Sequence, residues 1–204
     1  TGDTSSDQTR IWTFEYNPVG DLFSTPNSSG YLVATQAGTV PYYNNIVYDT
    51  DNNKVVSVVD TGSLGNHTVY TLTYTGSGNF TQNGTTTIDF DINNRHFSTA
   101  YYNNSIVSFW AGDSSSYARL SRCDWNGTSY SVNSNNTCNF RVQSGQVTFA
   151  KIAQDKLIVG VRTNENNFID YSQGSIPTGG YNIFSINNPL NGSSKTLQDI
   201  LHLY

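Results

Sequence analysis

Apolar and polar residues alternate along much of the chain with the two-residue period of a β-strand. Tyr70, Leu72 and Tyr74 share one face of the segment 69–75, and the opposite face carries mostly threonine. The segment 87–92 repeats this alternation between aliphatic or aromatic residues and polar ones. Both segments are therefore predicted to form half-buried strands.

Three further segments, 54–59, 105–111 and 156–161, are apolar on both faces, as is typical of strands covered on both sides. Glycine, asparagine and aspartate separate the predicted strands at intervals of about ten residues. This rhythm predicts an all-β fold, a single-domain β-sandwich of the pilin-like or immunoglobulin-like kind. The C-terminal segment 196–204 has apolar residues that fit either a short helix or a strand.

The segment 10–16 alternates and places Trp12, Phe14 and Tyr16 on one face. We expect residues 1–17 to form an N-terminal extension and residues 18–204 to form the sandwich. The strand of the N-terminal extension either pairs with an edge of its own sheet or completes the sheet of a neighbouring molecule by β-strand addition. The sequence leaves both open and favours pairing within the chain.

The composition narrows the class of protein. The chain holds 25 Asn, 24 Thr and 24 Ser, only 12% charged residues, and a net charge of -5. Few and scattered basic residues argue against a nucleic-acid partner, and no apolar run approaches the length that spans a bilayer. The apolar content, 36%, is ample for a core. The absence of Met and the start at Thr1 lead us to expect a processed, secreted protein.

The two cysteines, Cys123 and Cys138, flank a turn-rich sequence. Their spacing favours a disulfide across a hairpin, which suits an oxidising, extracellular location. Two buried free thiols are the alternative.

Acceptor triplets for N-glycosylation, Asn-x-Ser/Thr, occur eight times. Because the chain is so rich in these residues, roughly six would arise by chance, so placement in turns carries more weight than number. The predicted glycosylation sites are Asn27, Asn66, Asn79, Asn83, Asn103, Asn126, Asn135 and Asn191.

The catalytic motifs are weak, so no enzyme activity is expected. No cofactor is expected either, apart from attached N-linked glycans. Gly112-Asp113-Ser114 together with Asp199 and His202 resembles the GDS and DxxH blocks of SGNH-type esterases, but that family alternates strands and helices. His67 and His96 are isolated and fit surface or strand positions better than a metal site. Aromatic side chains leave carbohydrate binding open.

In its low charge, dense acceptor triplets, cysteine pair and alternating N-terminal segment, the chain resembles the glycoprotein subunits of extracellular filaments of thermoacidophilic archaea, called threads. The resemblance implies a pilin-like sandwich whose subunits join head to tail, with Ile11, Trp12, Phe14 and Tyr16 on the donated strand.

The expected function is therefore that of a structural subunit of an extracellular surface filament that serves adhesion or biofilm formation. Its expected partners are other copies of itself. The alternative is a receptor-binding or carbohydrate-binding domain of a secreted or viral surface glycoprotein.

Overall fold

A computed structural model describes the fold for residues 2–3, 8–35, 44–60, 66–89, 97–110, 118–137, 140–142, 146–153, 156–163, 168–171, 174–177, 180–187 and 197–203. Within these ranges the chain is all-β, with twenty strands and no helix. The first ten strands are β1 (Gly2–Asp3), β2 (Gln8–Ile11), β3 (Glu15–Asn17), β4 (Leu22–Ser24), β5 (Tyr31–Thr35), β6 (Asn44–Asp49), β7 (Lys54–Asp60), β8 (Asn66–Gly76), β9 (Asn79–Asp89) and β10 (Phe97–Tyr102). The others are β11 (Ser105–Trp110), β12 (Arg119–Trp125), β13 (Tyr130–Thr137), β14 (Phe140–Val142), β15 (Gln146–Ala153), β16 (Lys156–Thr163), β17 (Phe168–Tyr171), β18 (Gly174–Pro177), β19 (Gly180–Asn187) and β20 (Leu197–Leu203).

Most of these strands form three four-stranded antiparallel sheets that follow one another along the chain. Their strand orders are β6-β7-β8-β9, β10-β11-β12-β13 and β15-β16-β19-β20. The first strand of the second sheet, β10, lies beside both β6 and β15. Smaller sheets are β1-β2-β5, β3-β4 and β14-β17-β18. In the first two large sheets, strands adjacent in sequence are adjacent in space, so tight turns define the register.

The main core lies between the sheets β6–β9 and β10–β13, which pack face to face as the sheets of a β-sandwich do. Its largest buried side chains are Trp110 and Tyr130, both about 1% exposed or less. The Phe97 and Trp110 rings stack with centroids 4.2 Å apart. The cluster consists of Val56, Val58, Val69, Ile88, Phe97, Ile106, Trp110, Cys123 and Tyr130.

A second core covers the other face of the β6–β9 sheet. Val59, Leu72 and Phe80 from that sheet pack there with Val33 of β5. The β6–β9 sheet is therefore covered on both faces, which explains why β7 is apolar on both.

The all-β prediction is confirmed, and the three segments apolar on both faces all form strands, as β7, β11 and β16. The helical alternative for the C-terminal segment is wrong, because Leu197–Leu203 forms β20 and pairs with β19. Apolar residues three and four apart fit a helix, but in this case the neighbouring strand satisfies the backbone. No described segment forms a helix long and apolar enough to cross a membrane.

Candidate functional site

The N-terminal segment is paired within its own chain. Strand β2 lies between β1 and β5, and its register joins Thr9 to Ala34 and Ile11 to Tyr31. Ile11 also packs against the second core. Pairing within the chain, favoured by the sequence, is thus confirmed for β2, and this pairing crosses the predicted boundary at residue 17.

The predicted continuous aromatic strand is interrupted. Residues 12–14 are not in a strand, and the chain resumes pairing only in β3, which pairs with β4. At this interruption the Trp12 indole lies against Gly30. A Cβ placed on Gly30 would be only 2.7 Å from Trp12 Cε2, and Gly30 has a φ of +68°, which glycine tolerates best. Trp12 is thereby fixed with one side against the backbone.

Strands β3 and β4 form a hairpin whose apolar side chains face outward. Phe14 is 66% exposed, Val19 82%, Leu22 64% and Phe23 70%. The Tyr16 and Phe23 rings contact each other with centroids 5.0 Å apart. We call this segment, residues 14–24, the apolar hairpin. Single exposed apolar residues are ordinary, but a contiguous group of this kind is typical of an interaction surface.

A groove of about 370 Å³ separates the N-terminal segment from β6, the edge strand of the next sheet. One wall consists of β2 with Trp12 and Phe14, and the other of Asn44, Asn45 and Ile46 with Ser57 at its base. Its volume lies within the usual range of small-ligand sites. Sequence patterns did not reveal it, because its walls are some thirty-five residues apart in sequence. The sequence feature at this wall is the pair Asn44-Asn45, which precedes the exposed Ile46.

Two polar atoms at the groove are buried without a hydrogen-bond partner. They are Thr9 Oγ1 and Asn44 Oδ1, and Thr9 is only 2% exposed. By contrast, Arg10 is fully engaged: Nε and Nη2 donate to Gln8 Oε1, and Nη1 donates to the carbonyl oxygens of Ser29 and Gly30. Thr9 and Asn44 therefore have unused hydrogen-bonding capacity beside the groove, whereas Arg10 has little.

Five turns lie together at one end of the sheets, which we call the turn end. The β6–β7 and β10–β11 turns are joined by a hydrogen bond from Asn52 Nδ2 to Asn104 Oδ1, 2.8 Å. The β12–β13 turn joins them through Trp125 N and Asn104 O, 2.9 Å. Antiparallel order puts the β8–β9 turn at this same end, and the turn at Asn27 meets it through Asn79.

Beneath the turn end, Asp49 is fully buried. Its Oδ1 accepts the backbone N–H groups of Asp51 and Asn52, and its Oδ2 accepts the Tyr130 hydroxyl at 2.6 Å. Burial by itself raises the pKa of Asp49, but these hydrogen bonds outweigh it and leave the pKa below its usual value. Burial and the Asp49 carboxylate raise the pKa of Tyr130. The Asp49 carboxylate thus links the sheets β6–β9 and β10–β13.

The predicted glycosylation sites fall into three groups. Asn79, Asn103, Asn126 and Asn135 are exposed, whereas Asn27, Asn66 and Asn83 are half-buried. Asn27, Asn79, Asn103 and Asn126 all lie at the turn end. Asn191 lies outside the described residues.

Only one cysteine of the predicted pair, Cys123, lies within the described residues. Cys123 is buried, and burial first and the nearby Asp124 carboxylate second raise the pKa of its thiol to about 12. Val132 lies opposite Cys123 in the β12–β13 hairpin. Cys138 lies outside the described residues, so its pairing with Cys123 stays a prediction.

Of the two positions expected for His67, surface or strand, the strand is confirmed, because His67 lies in β8, and the surface position is wrong. Its side chain is 1% exposed, and its ring lies 4.1 Å from that of Trp110, because β8 faces the main core. Asp60, also buried, is opposite it in register. Residues 112–114 of the esterase-like motif lie outside the described residues, as do the side chains of Asp199 and His202. Among the described residues, no cluster of three or more His, Cys, Asp or Glu could hold a metal ion.

Comparison with known proteins gives little further guidance. No family model matches the chain, and no curated protein matches it. A solved structure from a structural and mechanistic study of two prolyl endopeptidases is similar with a TM-score of 0.43 and 10% identity. The match covers all of this chain and 32% of that one, so the chain spans about a third of its length. Similarity at this level does not establish a shared function.

Proposed function

We propose that the chain is a structural subunit of an extracellular, N-glycosylated surface filament, joined copy to copy through its N-terminal region and serving adhesion or biofilm formation. The observation that supports this most is the apolar hairpin, with Val19, Leu22 and Phe23 each at least 64% exposed. An isolated subunit gains nothing from such exposure, whereas a subunit that buries the hairpin against another copy gains hydrophobic free energy.

The hairpin also offers backbone for pairing. Its sheet contains only β3 and β4 among the described strands, so each strand has one edge without a strand partner in that part of the chain. Open edges accept a further strand by β-strand addition. Strand β2 pairs with β5 along its whole length on one side, and β1 covers Gln8 and Thr9 on the other. Of the predicted donor residues, Tyr16 lies on a strand of this small sheet and has an open edge beside it, whereas Ile11 already pairs with Tyr31 and residues 12–14 lie outside the strands.

The test replaces Leu22 and Phe23 by serine in the full glycosylated chain. Sedimentation velocity and negative-stain microscopy should show filaments or large oligomers for the unmodified protein and monomers for the double variant. The matched control replaces Tyr102 and Val132, two other exposed apolar residues, by serine as well. It should assemble normally. Unmodified protein that stays monomeric at high concentration, or a double variant that still assembles, would refute the proposal.

A binding domain is the second candidate function, and the groove beside β2 favours it. Such a domain needs no self-association, so it predicts a monomer under the same conditions.

A further inference from the structure

The groove between the N-terminal segment and β6 combines two aromatic side chains, of which Trp12 is held against Gly30, with polar atoms that lack hydrogen-bond partners. Trp12 rests against Gly30 on one side and lines the groove, and Phe14 lines it while remaining 66% exposed. A ring already held in place loses little conformational freedom when a ligand packs against it. The aromatic wall is therefore prepared for a flat or ring-shaped ligand.

The polar atoms restrict the chemistry of that ligand. Thr9 Oγ1 can donate or accept a hydrogen bond, and Asn44 Oδ1 can only accept. Both are buried and unpartnered, which is unfavourable until a ligand supplies the missing bonds. Because neither oxygen has exposed surface, a ligand reaches it once the side chain turns toward the groove, and a ligand hydroxyl, which both donates and accepts, then matches either atom.

The charges of the described lining favour a neutral ligand. No carboxylate is among the described residues that line the groove. Arg10 is the charged residue among them, and its guanidinium nitrogens already donate to Gln8 and to two backbone carbonyls. A phosphate or carboxylate ligand would have to displace those bonds.

We infer that this groove binds a neutral saccharide, which stacks its apolar ring face on Trp12 and Phe14 and directs hydroxyl groups to Thr9 and Asn44. Alternating C–H faces and hydroxyl edges are what an aromatic wall with nearby amides and hydroxyls recognises. The inference does not depend on filament formation, since the groove lies within one chain.

The test uses the full chain carrying Leu22→Ser and Phe23→Ser, so that assembly does not obscure binding. An array of neutral mono- to tetrasaccharides is probed first, and each bound sugar is then titrated by NMR. Trp12→Ala and Asn44→Leu should each weaken binding at least tenfold, Trp12→Phe should weaken it less, and Tyr102→Ala should leave it unchanged.

Circular dichroism and thermal unfolding of each variant separate lost binding from lost folding. The inference fails if no neutral sugar binds at millimolar concentration. It also fails if folded Trp12→Ala binds as well as the parent, or if only acidic sugars or peptides bind.

Discussion

At the scale of single residues, Asp49 shows how hydrogen bonding makes a buried charge tolerable. Its carboxylate receives backbone N–H groups at Oδ1 and the Tyr130 hydroxyl at Oδ2. A buried carboxylate with its acceptors satisfied keeps its charge, and its pKa falls even though burial alone would raise it. The sequence showed an ordinary turn aspartate and gave no sign of this, because Tyr130 is 81 residues away.

Asp49→Asn should destabilise the protein at neutral pH by about 1–3 kcal/mol, because an amide N–H₂ would face the donors that Oδ2 now accepts. A lowered folded-state pKa means that the carboxylate stabilises the fold above its unfolded pKa and that this contribution is lost as pH falls through the folded value. The variant should therefore lose less stability than the parent as the pH falls from above the unfolded pKa through the lower folded pKa.

Urea denaturation at several pH values measures this difference. The control, Asp21→Asn, removes an exposed carboxylate and should leave the pH dependence of unfolding nearly as it is. Parallel acid-side curves for the parent and Asp49→Asn would contradict the assignment.

Exposure should also decide which acceptor asparagines carry glycans. Asn103 and Asn126 lie exposed in tight turns, and Asn126 Oδ1 already accepts the backbone N–H groups of Thr128 and Ser129, which orients the side chain. A glycan on half-buried Asn66 or Asn83 would displace protein contacts. Glycopeptide mass spectrometry of native protein should find high occupancy at the first two sites and low occupancy at the other two; equal occupancy at all four would count against it.

At the scale of elements, the strands were predictable and their partners were not. Segments such as β7 and β11 are apolar on both faces, a property that depends on local sequence alone. The groove depends on Thr9 and Asn44 lining one cavity, which follows from how β2 pairs with β5 and how that sheet packs on the β6–β9 sheet. Nothing in either local sequence records that arrangement. The interruption after Ile11 was likewise missed, because Gly30, which Trp12 contacts there, lies in another turn.

The position of Gly30 permits a quantitative test. Gly30→Ala should cost more than backbone strain alone, because the new Cβ would lie 2.7 Å from the Trp12 ring in addition to requiring a φ of +68°. Gly127→Ala is the matched control, since Gly127 has a φ of +98° but nothing within 4 Å of its Cβ position.

Strain at Gly127 should cost about 1–2 kcal/mol, and the Gly30 variant should exceed it by at least about 1 kcal/mol from the forced movement of packed atoms. Chemical denaturation gives both values. Equal costs would show that Trp12 is not held against Gly30.

At the scale of the whole molecule, the packing of the sheets β6–β9 and β10–β13 confirms the sandwich that the strand rhythm predicted. The arrangement of features around it could not be predicted. Turns that are far apart in sequence meet at one end because meander order places every second turn there. As a result, Asn27, Asn79, Asn103 and Asn126 share the turn end, and β2 finishes near it because β5 begins there, after the Asn27 turn.

The apolar hairpin follows β2 directly, so glycans at the turn end should limit how freely it associates. We expect removal of three sites, Asn79→Gln with Asn103→Gln and Asn126→Gln, to lower solubility and increase self-association, since bulky hydrophilic chains at the turn end would no longer limit access to the apolar hairpin. Light scattering against concentration measures the change. Adding Phe23→Ser to the triple variant should reverse it, because the same apolar surface drives the association. If the triple variant aggregates equally with or without Phe23→Ser, the effect arises from general loss of solubility and the hairpin is not the shielded surface.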